Sequence, residues 1–134
     1  MAQAAQQRIL LAGTVDAVRT ARLIIGEGFD YRCATSLDEA RTQLCPDLAA
    51  VVCSLRLDDA PVVELLEQLG PDVPVVCFHA HGRELSGSAR ESVREALQAL
   101  GNARFVDLYA IARSRGVPAA AAALREAVSS AFAG

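Results

Sequence analysis

Pro46-Asp47-Leu48-Ala49-Ala50-Val51-Val52-Cys53-Ser54-Leu55-Arg56-Leu57-Asp58-Asp59 is the stretch whose reading decides the fold. Its middle is an uninterrupted run of small and β-branched apolar residues, and it closes on a sudden polar cluster. A strand with one wet face alternates apolar and polar residues. A strand that is apolar throughout is hidden on both faces, as in a parallel sheet covered by helices on each side. Such sheets gather their sites in the loops beyond the carboxyl ends of the strands, so the residues from Ser54 onward are the first place to look for chemistry.

Outward from this stretch, strand and helix signals alternate. Arg8 to Ala12 predicts a first buried strand, followed by a loop at Gly13-Thr14-Val15-Asp16. Val18, Ala21, Ile24 and Ile25 then recur at helical spacing, with Gly26 and Gly28 as stop signals. Tyr31 to Thr35 fits a second strand, and Ser36-Leu37-Asp38-Glu39 is a capping box opening a helix that runs to about Leu44. Pro61 opens a third helix over Val62 to Leu69, which Gly70 ends. Pro74 to Ala80 is a fourth buried strand, followed by a polar loop over His81 to Gly87. A second capping box at Ser88 to Glu91 starts a helix with Val93, Leu97 and Leu100 on one side, and Arg90, Glu91, Arg94 and Glu95 on the other. Arg104 to Leu108 is a fifth strand, and Ala119 to Phe132 an Ala-rich last helix behind Pro118. Residues 109 to 116 fit either a strand continuation with a loop or one short helix. Five strands alternating with five helices predict an α/β three-layer sandwich of flavodoxin-like type, a five-stranded parallel sheet with helices on both faces. Residues 1–7 read as a disordered tail and residues 8–134 as one domain.

Composition narrows the function. The chain has 134 residues, 52% hydrophobic and 22% charged, with a net charge of −3 and no basic run, so nucleic-acid binding is not expected. No apolar run reaches the length of a membrane span, and the N-terminus lacks the charged and apolar regions of a signal peptide, which points to a cytoplasmic protein with no membrane contact. Cys33, Cys45, Cys53 and Cys77 show no C-x-x-C pairing, and read as free thiols rather than disulfides or a zinc cage. All 13 basic residues are arginine. The absence of lysine excludes Schiff-base chemistry and a P-loop lysine together.

The organising stretch resembles the third strand of a two-component response-regulator receiver domain, where a pattern like PDLxxVxxDLRLPD ends in the aspartate that accepts phosphate. The resemblance extends from about residue 8 to residue 132. Arg8-Ile9-Leu10-Leu11-Ala12-Gly13-Thr14-Val15-Asp16-Ala17-Val18-Arg19 is similar to xILLVDDDxxxR, Pro74 to Gly82 is similar to PVIxLTAHG, and Arg104 to Ala110 falls where the family has DFLxKPF. It implies the flavodoxin-like fold and a signalling role. It also implies that each phosphorylation position is changed: the metal-holding acidic pair falls on Gly13 and Thr14, the acceptor on Ser54, the switch hydroxyl on His79 and the lysine approximately on Leu108. Attack of a carboxylate on a phosphoryl group needs a hard cation held by oxygens and a positive side chain near the transferred group, and these residues supply neither.

Three other constellations stand beside that reading. Asp16, Asp58, Asp59 and Asp107 are acids at the same end of the sheet and could form a displaced metal site, although loop acids more often serve as caps and turns. Cys53, His79 and His81 supply ligand types that suit zinc. Cys77-Phe78-His79-Ala80-His81-Gly82-Arg83 satisfies the C-x5-R spacing of phosphatase-like and rhodanese-like loops, in which a thiolate and an arginine bind an oxyanion before a helix N-terminus. The vacated acceptor pocket near Gly13, Ser54 and His79 could also accept a small ligand. The expected function is a phosphorylation-independent pseudo-receiver, not an enzyme, with no metal or cofactor. Its expected partner is a protein or a second copy, bound through the face of helix four, strand five and helix five, with Arg90, Glu91, Arg94 and Glu95 as contact residues.

Overall fold

The computed structural model describes residues 7–69, 72–80 and 86–133. Strand β3 is Ala50–Ser54, and all of its residues are buried. It lies between β1 (Gln7–Ala12) and β4 (Val75–His79), with β2 (Phe29–Ala34) beyond β1 and β5 (Ala103–Asp107) beyond β4. Every neighbouring pair is parallel, and the order β2-β1-β3-β4-β5 is that of a flavodoxin-like sheet.

Among the described residues, six helices cover the two faces: α1 (Val15–Ile25), α2 (Leu37–Gln43), α3 (Val62–Leu66), α4 (Gly87–Leu100), α5 (Leu108–Arg115) and α6 (Val117–Ala133). Strand alternation sends Leu10, Val51, Cys53, Val75 and Cys77 to one face, where they meet Ala40, Leu65, Val93 and Leu97 of α2, α3 and α4. The intervening Ile9, Leu11, Val52, Val76 and Phe78 meet Ala17, Ala21, Leu124 and Val128 of α1 and α6 on the other. Burying one such large apolar side chain contributes about 1.5 to 3 kcal/mol. Both clusters depend on β3 being apolar on each side.

The boundaries differ from the sequence expectations for physical reasons. Gln7 belongs to β1, because the ladder with β2 runs from Gln7 opposite Phe29 to Ala12 opposite Ala34. Residues 1–6 of the expected tail lie outside the described residues. The same register starts β2 at Phe29, and Thr35 leaves the ladder to bond with Glu39 through its amide at 3.2 Å and its hydroxyl at 3.0 Å. The Ser36 box forms, with Ser36 Oγ accepting from the Glu39 amide at 3.1 Å. The expected box at Ser88 does not. Ser86, extended at φ −67 and ψ 160, caps α4 instead, accepting from the Ala89 amide at 3.2 Å. Helix α3 stops at Leu66 rather than Leu69, and its expected stop, Gly70, lies outside the described residues. Gly101, at φ +79, ends α4 in the left-handed region that glycine adopts without strain.

The ambiguous stretch after β5 is a helix. Asp107 Oδ1 accepts from the Ala110 amide at 3.0 Å, which caps α5, and Gly116 terminates it. Strand β5 therefore ends at Asp107, and the described residues form six helices rather than the expected five.

Candidate functional site

At the carboxyl ends of β1 and β3, two residues expected to mark a vacated acceptor pocket close on each other. The Gly13 amide extends the β1–β2 ladder by donating to the Ala34 carbonyl at 3.1 Å. A Cβ placed on Gly13 would collide with Ser54 Oγ, stand 3.1 Å from Ser54 Cβ and stand 3.3 Å from Ala17 Cβ. Space for a side chain at position 13 is taken by Ser54, so the carboxylate found there in receivers could not be accommodated without movement. Ser54, 9% exposed, donates its hydroxyl to the Arg56 carbonyl at 2.8 Å and so tightens the turn leaving β3. Thr14, beside Gly13, is the N-cap of α1, its hydroxyl accepting from the Ala17 amide at 3.3 Å. The Thr-x-x pattern ahead of Ala17 was a legible sign of that cap.

The acids at this end serve separate local purposes. Asp59 Oδ1 accepts from the Leu37 amide at 3.0 Å, which caps the start of α2, and the Asp58 amide donates to the Thr35 carbonyl at 2.7 Å. Asp16 is exposed in the first turn of α1. Asp107 Oδ2 binds Arg90 at 2.9 Å while its other oxygen caps α5. No group of three His, Cys, Asp or Glu side chains comes together among the described residues, so neither the four aspartates nor Cys53 with His79 forms a ligand set. His81 lies outside the described residues. His79 is buried at the end of β4, opposite Asp107 in register, with its ring 5.8 Å from that of Tyr109. The Arg113 guanidinium stands 5.9 Å from the centre of the same Tyr109 ring. Leu108 is not at a strand end facing solvent. It is the first residue of α5 and is buried with Val106 and Leu124 in the core beneath α6.

Cys77 sits in the middle of β4, opposite Cys53 in register, and both are fully buried. A hydrogen bond with Cys53, followed by burial, pushes the Cys77 thiol well above the ordinary thiol range. Both effects oppose the thiolate a nucleophilic cysteine needs. Gly82 and Arg83, the remainder of the C-x5-R motif, lie outside the described residues.

On α4, Glu91, Arg94 and Glu95 are exposed, whereas Arg90 turns toward β5 to reach Asp107. Arg94 and Glu91 form a loose pair at 3.7 Å. A groove of about 430 Å³ runs between α4 and β5, floored by Leu97, Ala103 and Phe105 and flanked by Arg90 and Arg94. Sequence reasoning found the charges on α4 but not the groove, because Phe105 read only as a strand residue and Ala103 lay outside the expected strand, Arg104 to Leu108.

No protein-family model and no curated protein matches the sequence. Solved structures do match in fold. A response-regulator receiver domain protein from Clostridium thermocellum superposes with a TM-score of 0.61 at 16% identity, over 95% of this chain and 94% of that one. An adenylate cyclase structure from Rhodopirellula baltica gives 0.59 at 17% identity over 94% of both chains. A two-component response regulator/GGDEF domain protein gives 0.55 at 23% identity, over 89% of this chain and 45% of that one. The chain has the receiver fold. No helix of the described residues is long and apolar enough to cross a membrane.

Two outcomes test this geometry. Gly13→Ala should destabilise the protein by about 1 to 3 kcal/mol, because the added methyl meets a filled space. In a Ser54→Gly background the same change should cost less, with a coupling of at least about 0.5 kcal/mol in a urea-denaturation double-mutant cycle. Additive effects would show that Ser54 does not fill the Gly13 site. Separately, Cys33, which is exposed, should react quickly with iodoacetamide near neutral pH while native Cys77 stays unmodified. Cys77 holds its proton more tightly folded than unfolded, so stability should fall as pH rises past about 8.5, where the unfolded thiol ionises.

Proposed function

We propose that this chain is a receiver-like signalling module that acts without aspartyl phosphorylation, by binding a protein partner or a second copy through the face of α4, β5 and α5. The observation that carries the reading is the close approach of Ser54 to Gly13, which puts a hydroxyl bonded to a carbonyl where phosphoryl chemistry would need acids and a cation. Leu108, at the position that the resemblance gives to the family's lysine, points into the core. Stability alone can maintain the packed sheet, but a domain without catalytic groups gains a use only through what it binds. In this reading the protein is not an enzyme and carries no resident metal or cofactor.

The α4–β5 groove is the surface we assign to that binding. It combines an apolar floor with two guanidiniums, and Glu91 and Glu95 lie on the adjoining face of α4, a mixture that favours pairing with one partner over others. Arg94 contributes most to recognition, since its pairing with Glu91 is long and solvent-exposed and is easily exchanged for a carboxylate of the partner.

Ser54→Asp tests the loss of phosphorylation. After incubation with acetyl phosphate and magnesium, intact-mass spectrometry should show no phosphoryl addition. The introduced carboxylate lacks a metal-holding neighbour and a nearby cation, and losing one such group costs about 3 kcal/mol of transition-state stabilisation. Stoichiometric, magnesium-dependent addition to this single variant would overturn the reading.

The surface is tested by Arg94→Glu. The expected result is weaker self-association in sedimentation equilibrium, or weaker binding to an identified partner, with a melting temperature close to that of the parent because the side chain is exposed. Unchanged association in both assays would remove the α4 face as the binding surface.

A further inference from the structure

The opposite edge of the sheet carries a second surface, independent of the α4 groove. Arg19, Arg22 and Leu23 share one side of α1, and with Phe29 and Tyr31 of β2 they line a cleft of about 660 Å³. Leu23 is 78% exposed, more than Val15 or Val117, the other exposed large apolar residues among those described. One exposed leucine is ordinary on a protein surface; its position beside a cleft with unbalanced charge is not. Arg19 and Arg22 lie one helical turn apart, where like charges repel. Among the described residues neither forms a salt bridge, in contrast to Arg8, Arg41, Arg90 and Arg94. Glu27 also lines the cleft, so its charged side chains sum to one net positive charge, in a chain whose net charge is −3.

The cleft is also fixed in shape. The Tyr31 hydroxyl donates to the carbonyl of Gly26, the residue that ends α1. The Arg22 guanidinium lies 5.2 Å from the centre of the Tyr31 ring, a cation–π arrangement that orients it. Phe29 stacks on Phe132 of α6 at 5.4 Å. A ligand therefore meets walls already in place, and little ordering opposes its binding. Because β2 is the outermost strand on this side, the cleft lies at an edge of the sheet.

We infer that the α1–β2 cleft is a docking site for an acidic segment of a partner protein, in which an apolar side chain is flanked by carboxylates. The apolar residue would pack on Leu23 and Phe29, and the carboxylates would take up the charge of Arg19 and Arg22 through charge-assisted hydrogen bonds. Two arginines on a net-acidic chain are too few for an anionic membrane surface or a nucleic-acid backbone, both of which are bound by larger basic clusters.

The probe is a fluorescein-labelled peptide of about ten residues with Glu-Glu-Leu-Glu-Glu at its centre, titrated against the full chain by fluorescence anisotropy. Saturable binding that weakens with salt is expected, with little binding of the matched Lys-Lys-Leu-Lys-Lys peptide. Affinity should drop about tenfold or more in Leu23→Ser and in the double variant Arg19→Glu/Arg22→Glu, while Arg56→Glu, at an exposed position in the loop beyond β3, binds like the parent. All of these positions are exposed, and unchanged circular dichroism and melting would show that the variants fold. Absence of saturable binding up to millimolar peptide would overturn the inference. So would binding that survives both α1 variants or that is lost in Arg56→Glu. Phosphatidylserine vesicles that bind the parent and not the α1 variants, with no peptide binding, would identify a membrane surface and equally overturn it.

Discussion

Because β3 is shut off from water on both faces, every side chain from Ala50 to Cys53 has to be apolar or a thiol, and the first hydroxyl can come only where the strand gives way to its loop. That residue is Ser54, and its hydroxyl is satisfied by the Arg56 carbonyl just beyond the strand. The same constraint reaches the neighbours. β1 and β4 supply Ile9 to Ala12 and Val75 to Phe78 as equally buried runs, and the helices on either side must present small or apolar faces to cover them. Ala17 and Ala21 on α1, and Ala120 and Ala127 on α6, let those helices lie close to the sheet.

Dense packing takes the place of a charged pocket at the end of the sheet. A cluster of carboxylates held close together raises the cost of ionising each one and needs a cation to offset the repulsion. Here the acids are spread out. Asp59 caps α2, Asp107 caps α5, and Thr14 caps α1 with a neutral hydroxyl, so each satisfies backbone amides that a helix start leaves without partners. Gly13 and Ser54 fill the remaining space between β1 and β3. Among the described residues, the acids do not gather into a cluster there.

The strand pattern was legible because burial on both faces leaves a continuous apolar run, and such runs survive changes in individual residues. The capping box at Ser36 and the breakers Pro46, Pro61 and Gly101 were legible for a similar reason, since each acts through local backbone chemistry. Short-range ambiguity defeated the rest. Ser86 and Ser88 both precede helical residues, and only the backbone distinguishes the one that is extended and caps from the one already inside the helix. Leu108 follows β5 in sequence, but Asp107 caps a helix immediately, and that turns Leu108 inward under α6. The closure of Ser54 on Gly13, the α4–β5 groove and the α1–β2 cleft join residues distant in sequence, so no local pattern announced them. Arg19, Arg22 and Leu23 in particular fall between the apolar positions that marked the helix, and their significance depends on Phe29 and Tyr31 across the cleft.

In the proposed reading the module is biased by what binds it, and the bias cannot exceed the difference in affinity for its alternative arrangements. The two oxygens of Asp107 show how such a bias can be local. Oδ1 holds the first turn of α5 through the Ala110 amide, and Oδ2 holds α4 through Arg90. Under the proposed binding, a partner carboxylate that engaged Arg90 would compete with Oδ2 alone, and the cap on α5 would survive while the tie to α4 loosened. Asp107 is largely buried, with its side chain 13% exposed, and breaking its pair with Arg90 without a replacement would leave its charge poorly compensated. An acidic partner of the proposed kind would therefore have to leave water or its own donors beside Oδ2, a requirement that would discriminate between partners of equal charge but different shape.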